Sequence, residues 1–404
     1  MMDLFYELIQ IAIGNRARLS RVLSEEEWVE LFEEFKKQAM VGIGFNGVTR
    51  LITCAETEKH KGAVTCIGMS NELFFRWKMM MISVVQRNMK VDAVCAKVTK
   101  KFQEKGFQPI VLKGQANRIY YRCFSDHAET DTGSDISLLR TSGDIDLWVD
   151  SDRVRVIEAV RPQLKSIEAR IHHVEYPSVD GIPVEVHYCP MFMYSFRAQR
   201  KFEKWCREER KYNVSVDENC GFASPEPYFN IVFQMVHILR HLLEEGIGMR
   251  QLLDMYMNLQ ANFDMTYAKK RKMSRKQLMR VLEDLGMERF VGAVMYVLWR
   301  VFEVNLTGET FFDWKTRWPW MICKPNRKRG ELLQSEVMRA GNFGMYDKTK
   351  GEWYKKGKAQ MFLWKLRRNW NIVSLCPEEV ISGPFFRIWH YCWRWKNGYL
   401  GAIE

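Results

Sequence analysis

Apolar residues recur at three- and four-residue intervals through the first hundred positions: Leu4, Leu8 and Ile11, then Trp28, Leu31, Phe32 and Phe35. That spacing places them on one face of a helix. Ser24 followed by Glu27 has the form of a capping box and opens the second helix. A longer helix is predicted from Asn71 to Glu104, with Gly106 as its stop. Residues 1–105 are therefore expected to form a helical region.

The period then shortens. Gln108 to Leu112 is an apolar run suited to a strand, Lys113-Gly114 a turn, and Gln115 to Arg122 a helix. From Asp144 to Asp150 polar or aromatic residues alternate with Ile145, Leu147 and Val149, as in a strand with one face on a core. A helix is expected from Ser151 to Leu164. The segments Arg170 to Tyr176 and Pro183 to Tyr188 flank a turn, Ser178 to Gly181, that closes a hairpin. This order predicts a compact mixed-sheet unit over residues 106–190. Helical periodicity returns in 191–310, at Tyr228 to Glu245, Arg250 to Gln260 and Ser274 to Val304, while 311–404 has scattered Pro, Gly and Trp. The expected fold class is α+β, a small mixed-sheet core flanked by N-terminal and C-terminal helical regions.

Two segments invite over-reading. The polar stretch Ser125 to Asp135, with Asp126, Glu129, Asp131 and Asp135, reads as an exposed insertion, with a lid as the alternative. Gly42-Ile43-Gly44-Phe45-Asn46-Gly47 has the letters of a dinucleotide fingerprint but follows a predicted helix, Glu30 to Met40, where the fingerprint needs a strand. It is read as a decoy.

Composition adds a charge asymmetry. The formal net charge is +12, and from Asp313 to Glu404 there are 18 Lys and Arg against 8 Asp and Glu, together with nine of the 14 tryptophans. Such a segment can be an aromatic packing layer with a solvated basic rim, or a grip on a polyanion through charge and stacking; the packing layer is the first expectation. The ten cysteines form no Cys-x-x-Cys pair, which argues against a zinc knuckle or a redox dithiol. The apolar stretch Met79 to Val85 is closed by Lys78 and Arg87, well short of a span, and the N-terminus lacks the pattern of a signal peptide. A soluble cytoplasmic protein with no membrane partner is expected.

The candidate chemistry lies in the mixed-sheet unit. Side chains two apart on a strand share a face, about 6.5 Å from each other. Asp144 and Asp146 of Gly143-Asp144-Ile145-Asp146 thus share one, and hard carboxylate oxygens on a rigid strand suit magnesium. Two ions are expected, with manganese as the alternative, one activating an attacking hydroxyl and the other steadying a leaving pyrophosphate. Glu185, two residues before His187 in Pro183-Val184-Glu185-Val186-His187, is the candidate third ligand, with Asp150 as competitor. Lys113 and Gly114 lie where backbone N–H groups and a helix dipole favour phosphate. Gly143, Arg140 and His187 complete the candidate nucleotide contacts. His237 and His241, four apart, are expected in the core or hydrogen-bonded rather than on zinc, and Arg250 with Asp254 as a helix-face ion pair.

Leu112-Lys113-Gly114, Arg140 with Gly143 to Leu147, Glu185-Val186-His187, and Gly246 to Asp254 resemble the poorly characterised bacterial nucleotidyltransferases of the polymerase β-like superfamily. The resemblance implies a nucleotidyltransferase core, magnesium and a nucleoside triphosphate. The sequence departs from the superfamily pattern in having Lys113-Gly114 in place of Gly-Ser, 30 positions before Asp144. The expected reaction moves a nucleoside monophosphate from NTP to an acceptor hydroxyl, in RNA, protein or another molecule, and releases pyrophosphate. The alternatives are a catalytically decayed nucleotide- or RNA-binding regulator and a toxin–antitoxin-like component. Replacing Asp144 and Asp146 by Asn is expected to abolish activity without lowering the melting temperature, because crowded carboxylates repel one another.

Overall fold

The computed structural model describes residues 1–399 apart from 58–66, 126–134, 150, 212–214, 218–220, 264–272, 305–310, 312 and 356. Asp126, Glu129, Asp131 and Asp150 lie outside the described residues. Four helices come first: α1 (Met2–Ala12), α2 (Glu25–Lys37), α3 (Val41–Thr57) and the 34-residue α4 (Asn71–Glu104). The capping box at Ser24 and Glu27 is formed, and Ser70 caps α4 through the Leu73 N–H. The glycine-rich hexapeptide lies inside α3, as its decoy reading requires. Its glycines permit close packing: a Cβ on Gly42 would meet the Leu139 carbonyl oxygen at 2.2 Å, and one on Gly44 would strike Phe35 and Trp77.

A four-stranded mixed sheet follows, built from β1 (Ile110–Leu112), β2 (Ile145–Trp148), β3 (His173–Val179) and β4 (Ile182–His187) in the order β1-β2-β4-β3. β2 runs parallel to β4 and the other pairings are antiparallel. The helix expected after Lys113-Gly114 begins as a 3-10 turn, Gly114–Asn117, and continues as α5 (Arg118–Ser125). The hairpin turn is tighter than the sequence suggests. Asp180 and Gly181 both have positive φ, 52° and 77°, and Val179 pairs directly with Ile182. Two positive φ values favour a glycine and a short Asx residue.

One sheet face is apolar. Val111, Ile145, Leu147, Val174, Val184 and Val186 pack against Val91, Val94, Val98 and Phe102 of α4 and against Val156, Ile157 and Val160 of α6 (Arg153–Val160). The alternate residues therefore share the opposite face.

The chain continues through α7 (Phe196–Arg210), a small β5 (Ser215–Asp217) and β6 (Phe222–Ser224) pair, α8 (Pro227–Glu244) and α9 (Met249–Phe263). The helical stretch expected from Ser274 to Val304 is divided into α10 (Arg275–Asp284) and α11 (Glu288–Phe302), because Gly286 adopts φ +72° between them. The last segment holds α12 (Trp314–Arg317), α13 (Arg327–Ala340), α14 (Lys348–Tyr354), α15 (Lys358–Asn371) and α16 (Pro377–Lys396). No helix among the described residues is long and apolar enough to cross a membrane.

Candidate metal centre

Strand register assembles the site. Asp146 on β2 lies opposite Glu185 on β4, and Glu185 lies opposite Glu175 on β3. One row further along, Trp148, His187 and His173 are in register. Asp144 stands just before β2 and is more open, with 32% of its side chain exposed against 1% for Asp146. Lys113 follows β1 with φ +40°, a conformation costing a non-glycine residue on the order of 1–3 kcal/mol, and its side chain faces the carboxylates. Its Nζ lies 2.7 Å from Asp146 Oδ2 and 3.3 Å from Asp144 Oδ1.

The electrostatics are those of a mutually neutralising group. Burial alone would raise the Asp146 pKa, but Lys113 and His187 hold it below its ordinary value. Burial likewise opposes ionisation of Glu185, yet His187, His173 and Lys113 bring it down to about 2. His187 is pushed up to about 9, against its own burial, by Asp146 and Glu185. Lys113 is raised too, because the neighbouring carboxylates outweigh burial. These contacts correct the expectation that Asn at Asp146 leaves the melting temperature unchanged. Without Asp146, Lys113 and His187 would lose a charged partner in a buried place, which is destabilising. The expectation survives only for the more open Asp144.

Asp146, Glu185 and His187 each offer a ligand atom within 4.8 Å of the others. Asp146 Oδ1 and His187 Nε2 are 3.5 Å apart, buried, and neither has a well-directed hydrogen bond. Two carboxylate oxygens and an imidazole nitrogen fit a divalent cation. Asp144 is not among the donors that approach this closely; it stands across Lys113 from Asp146.

Behind the centre, the loop leading to Asp144 is held by buried polar contacts. Asn88 donates 2.7 Å hydrogen bonds to the carbonyls of Leu138 and Arg140. Arg140 makes a bidentate pair with Asp254 of α9, both bonds 2.6 Å, and the Tyr121 hydroxyl donates to the same carboxylate at 2.8 Å. The Arg140 guanidinium is thus committed to Asp254. The helix-face pair expected between Arg250 and Asp254 is replaced: Arg250 donates to the Thr141 carbonyl at 2.7 Å, because Arg140 offers Asp254 the better, two-pronged geometry. Asp135 accepts from the Ser137 N–H and hydroxyl and so caps a 3-10 turn. His237 is buried with its ring 4.3 Å from that of His241, in keeping with the core reading.

The carboxylates open into a pocket of about 1080 Å³. Its floor is the sheet: Lys113, Gly143, Asp144, Asp146, Glu185 and His187, with His172, His173 and Glu175. Gly114 and Arg140 line a small recess of about 20 Å³ that shares Lys113, Gly143 and Asp144 with the main pocket. The roof was not foreseen from sequence. It comes from α15 and α16 through Met361, Phe362, Lys365, Phe386, Arg387 and His390. Nothing in the spacing of these residues points to the site. The His172-His173 doublet is the local sequence signal for this part of the floor, but its meaning depends on the strand register that brings it opposite His187.

Several basic residues of the tail serve packing. Arg368 and Asn369 donate to the carbonyls of Leu242 and Leu243 at the end of α8, and Lys365 and Arg387 pair with Glu244 at 2.6 and 3.3 Å. Trp318, Trp320 and Trp364 are buried, whereas Trp370 and Trp395 are exposed.

Residues 67–303 match the model of a family described as uncharacterised nucleotidyltransferase. The matched stretch holds the entire floor of the pocket and ends before its roof. No curated protein and no solved structure matches the chain.

Proposed function

The chain belongs to the uncharacterised nucleotidyltransferase family, and we propose that it moves a nucleoside monophosphate from NTP to an acceptor hydroxyl, releasing pyrophosphate. In this reading the chain falls in the polymerase β-like superfamily, alongside its bacterial members, and works in the cytoplasm. The observation that carries it is the register of Asp146 with Glu185, with Asp144 and Lys113 beside them. Asp144, Asp146 and Glu185 would hold two magnesium ions, which when bound neutralise phosphate charge and favour the attacking oxygen and the leaving pyrophosphate. Lys113, released from the carboxylates, reaches the phosphates. Gly114 and Gly143 let backbone come close to them, and the φ of +43° at Gly114 favours glycine there. Arg140 serves through Asp254 by fixing the loop before Asp144. Catalysis is then positioning and charge neutralisation.

The pocket has room for more than a triphosphate, and its aromatic roof suits an acceptor with a planar part. The pairing of Lys365 and Arg387 with Glu244 weighs against the tail as a general grip on RNA. Incubation with each labelled NTP and magnesium, alone and with pools of RNA, protein and small molecules, tests the reaction. Label transfer with pyrophosphate release is expected; folded protein giving neither with any pool would refute it.

A further inference from the structure

The sheet face carries two kinds of donor. One row is all oxygen, Asp146, Glu185 and Glu175; the next offers imidazoles, His187 and His173. His172 adds a third ring, centred 4.3 Å from that of His173. We propose that His172, His173, His187 and Glu185 form a tetrahedral site for a zinc-class divalent cation, distinct from the oxygen site at Asp144 and Asp146 and joined to it through Glu185.

Distances carry the case. His172 Nε2 is 3.0 Å from His173 Nδ1, which is 3.2 Å from Glu185 Oε2, which is 3.2 Å from His187 Nε2. Four ligands at the usual zinc bond length of about 2.0–2.1 Å stand about 3.3 Å apart at the corners of a tetrahedron. The three consecutive edges are already close to that value. The three imidazoles can each bring a nitrogen within 4.8 Å of the others, and all three residues are buried.

Two of the three rings have outer contacts of the kind that orient metal-bound histidines. His187 turns Nδ1 towards the Cys189 carbonyl at 3.4 Å, which leaves Nε2 facing the Glu185 carboxylate at 3.2 Å. His173 turns Nε2 towards Glu175 at 3.4 Å, leaving Nδ1 inward. His187 Nε2 faces the Glu185 and Asp146 carboxylates at 3.2 and 3.5 Å, so a bound cation would take the place of the proton these carboxylates hold on the ring. Three nitrogens and one carboxylate favour zinc or cobalt over magnesium, which prefers oxygen alone. The bound cation would fix the Glu185 carboxylate and tie β3 to β4 across the open end of the hairpin.

The full chain, stripped with chelator, is titrated with Co²⁺ under excess Mg²⁺ and followed by visible absorption and by metal content after dialysis. One retained equivalent with the intense bands of tetrahedral Co²⁺ is expected, displaced by Zn²⁺ but not by Mg²⁺. His172→Asn and His173→Gln should each weaken binding by at least about 100-fold, and Glu175→Gln, which removes only an outer contact, by about 10–100-fold. Asp144→Asn should keep the bands. Weak octahedral absorption, displacement by Mg²⁺, or unchanged bands in both histidine variants overturns the proposal, and the wild-type result alone decides should a variant fail to fold. Nucleotide transfer enters none of these readings, so loss of the proposed activity leaves them intact.

Discussion

The floor and roof of the pocket are each fastened by a buried arginine–carboxylate pair, but the pairs have different support. Arg140 and Asp254 hold the loop before Asp144 against α9, with side-chain exposures of 5% and 4%, and that loop runs on into a sheet strand with a packed apolar face. Arg240 of α8 and Glu379 of α16 hold the roof, with exposures of 4% and 2%. Glu379 also accepts the N–H groups of Tyr194 and Ser195 at 2.8 and 2.9 Å. The floor has a sheet beneath it; the roof hangs on side chains. Geometry for chemistry is thus built where the backbone ladder is rigid, and the surface that would meet the second substrate is built where a few polar contacts can be changed.

Asp146→Asn should show the largest effect. Turnover is expected to fall by at least about 1000-fold, measured as pyrophosphate release, since a ligand to both charge and geometry is lost. The same variant should unfold at lower temperature than wild type, while Asp144→Asn loses activity with little change in melting. Equal melting of both variants would contradict the buried Lys113–Asp146 contact. Next in size, Asp254→Ala leaves Arg140 buried without its partner and should cost about 3–5 kcal/mol in urea unfolding. It should also slow turnover, because the loop carrying Asp144 is no longer fixed.

Glu379→Gln applies the same operation to the roof. Arg240 loses its charged partner, and a cost of about 3 kcal/mol is expected, expressed differently: α15 and α16 should become sensitive to limited proteolysis while the sheet stays protected from hydrogen exchange. If sheet and tail lose protection together, the roof is no separate element and the contrast between the two regions fails.

Much of the floor was legible because its code is local. Period-two alternation identified β2 and β4, the turn ending in Asp180-Gly181 marked the hairpin of β3 and β4, and Asp144, Asp146, Glu185 and Lys113 fall together in the pocket. What escaped depends on register or on distance along the chain. The tight turn and the irregularity between Tyr176 and Val179 decide that Glu175 and His173 oppose Glu185 and His187, and a four-residue turn read from sequence does not specify that. Asp254 chose an arginine 114 residues away over the one four residues before it, because the bidentate geometry is better in a dry place. The break at Gly286 was hidden by continuous apolar periodicity on either side. For the roof no local signal exists at all, since Glu379 meets Arg240 only in the folded chain.

Glu244 gives the smallest effect and the finest test of how the roof is held. Burial pushes its carboxyl up, yet Arg387, Lys365 and Arg240 hold it well below its ordinary value of 4.5. A carboxyl depressed in the folded state adds stability above its unfolded pKa, and that stability is lost as pH falls towards the folded one. Glu244→Gln should therefore be less stable than wild type above about pH 5, by on the order of 1–2 kcal/mol, with the gap narrowing from about pH 4.5 downward and not yet closed at about pH 3. Asp146 and Glu185 are also held below their ordinary values but are common to both proteins, so the difference between the two stability curves isolates Glu244. Protection of α15 and α16 from proteolysis should track that difference, because Lys365 and Arg387 lie on those helices. A gap that stays constant with pH would mean that the carboxylate charge does not fasten the roof, leaving that task to Glu379 and to the packing of Phe386 on Phe192.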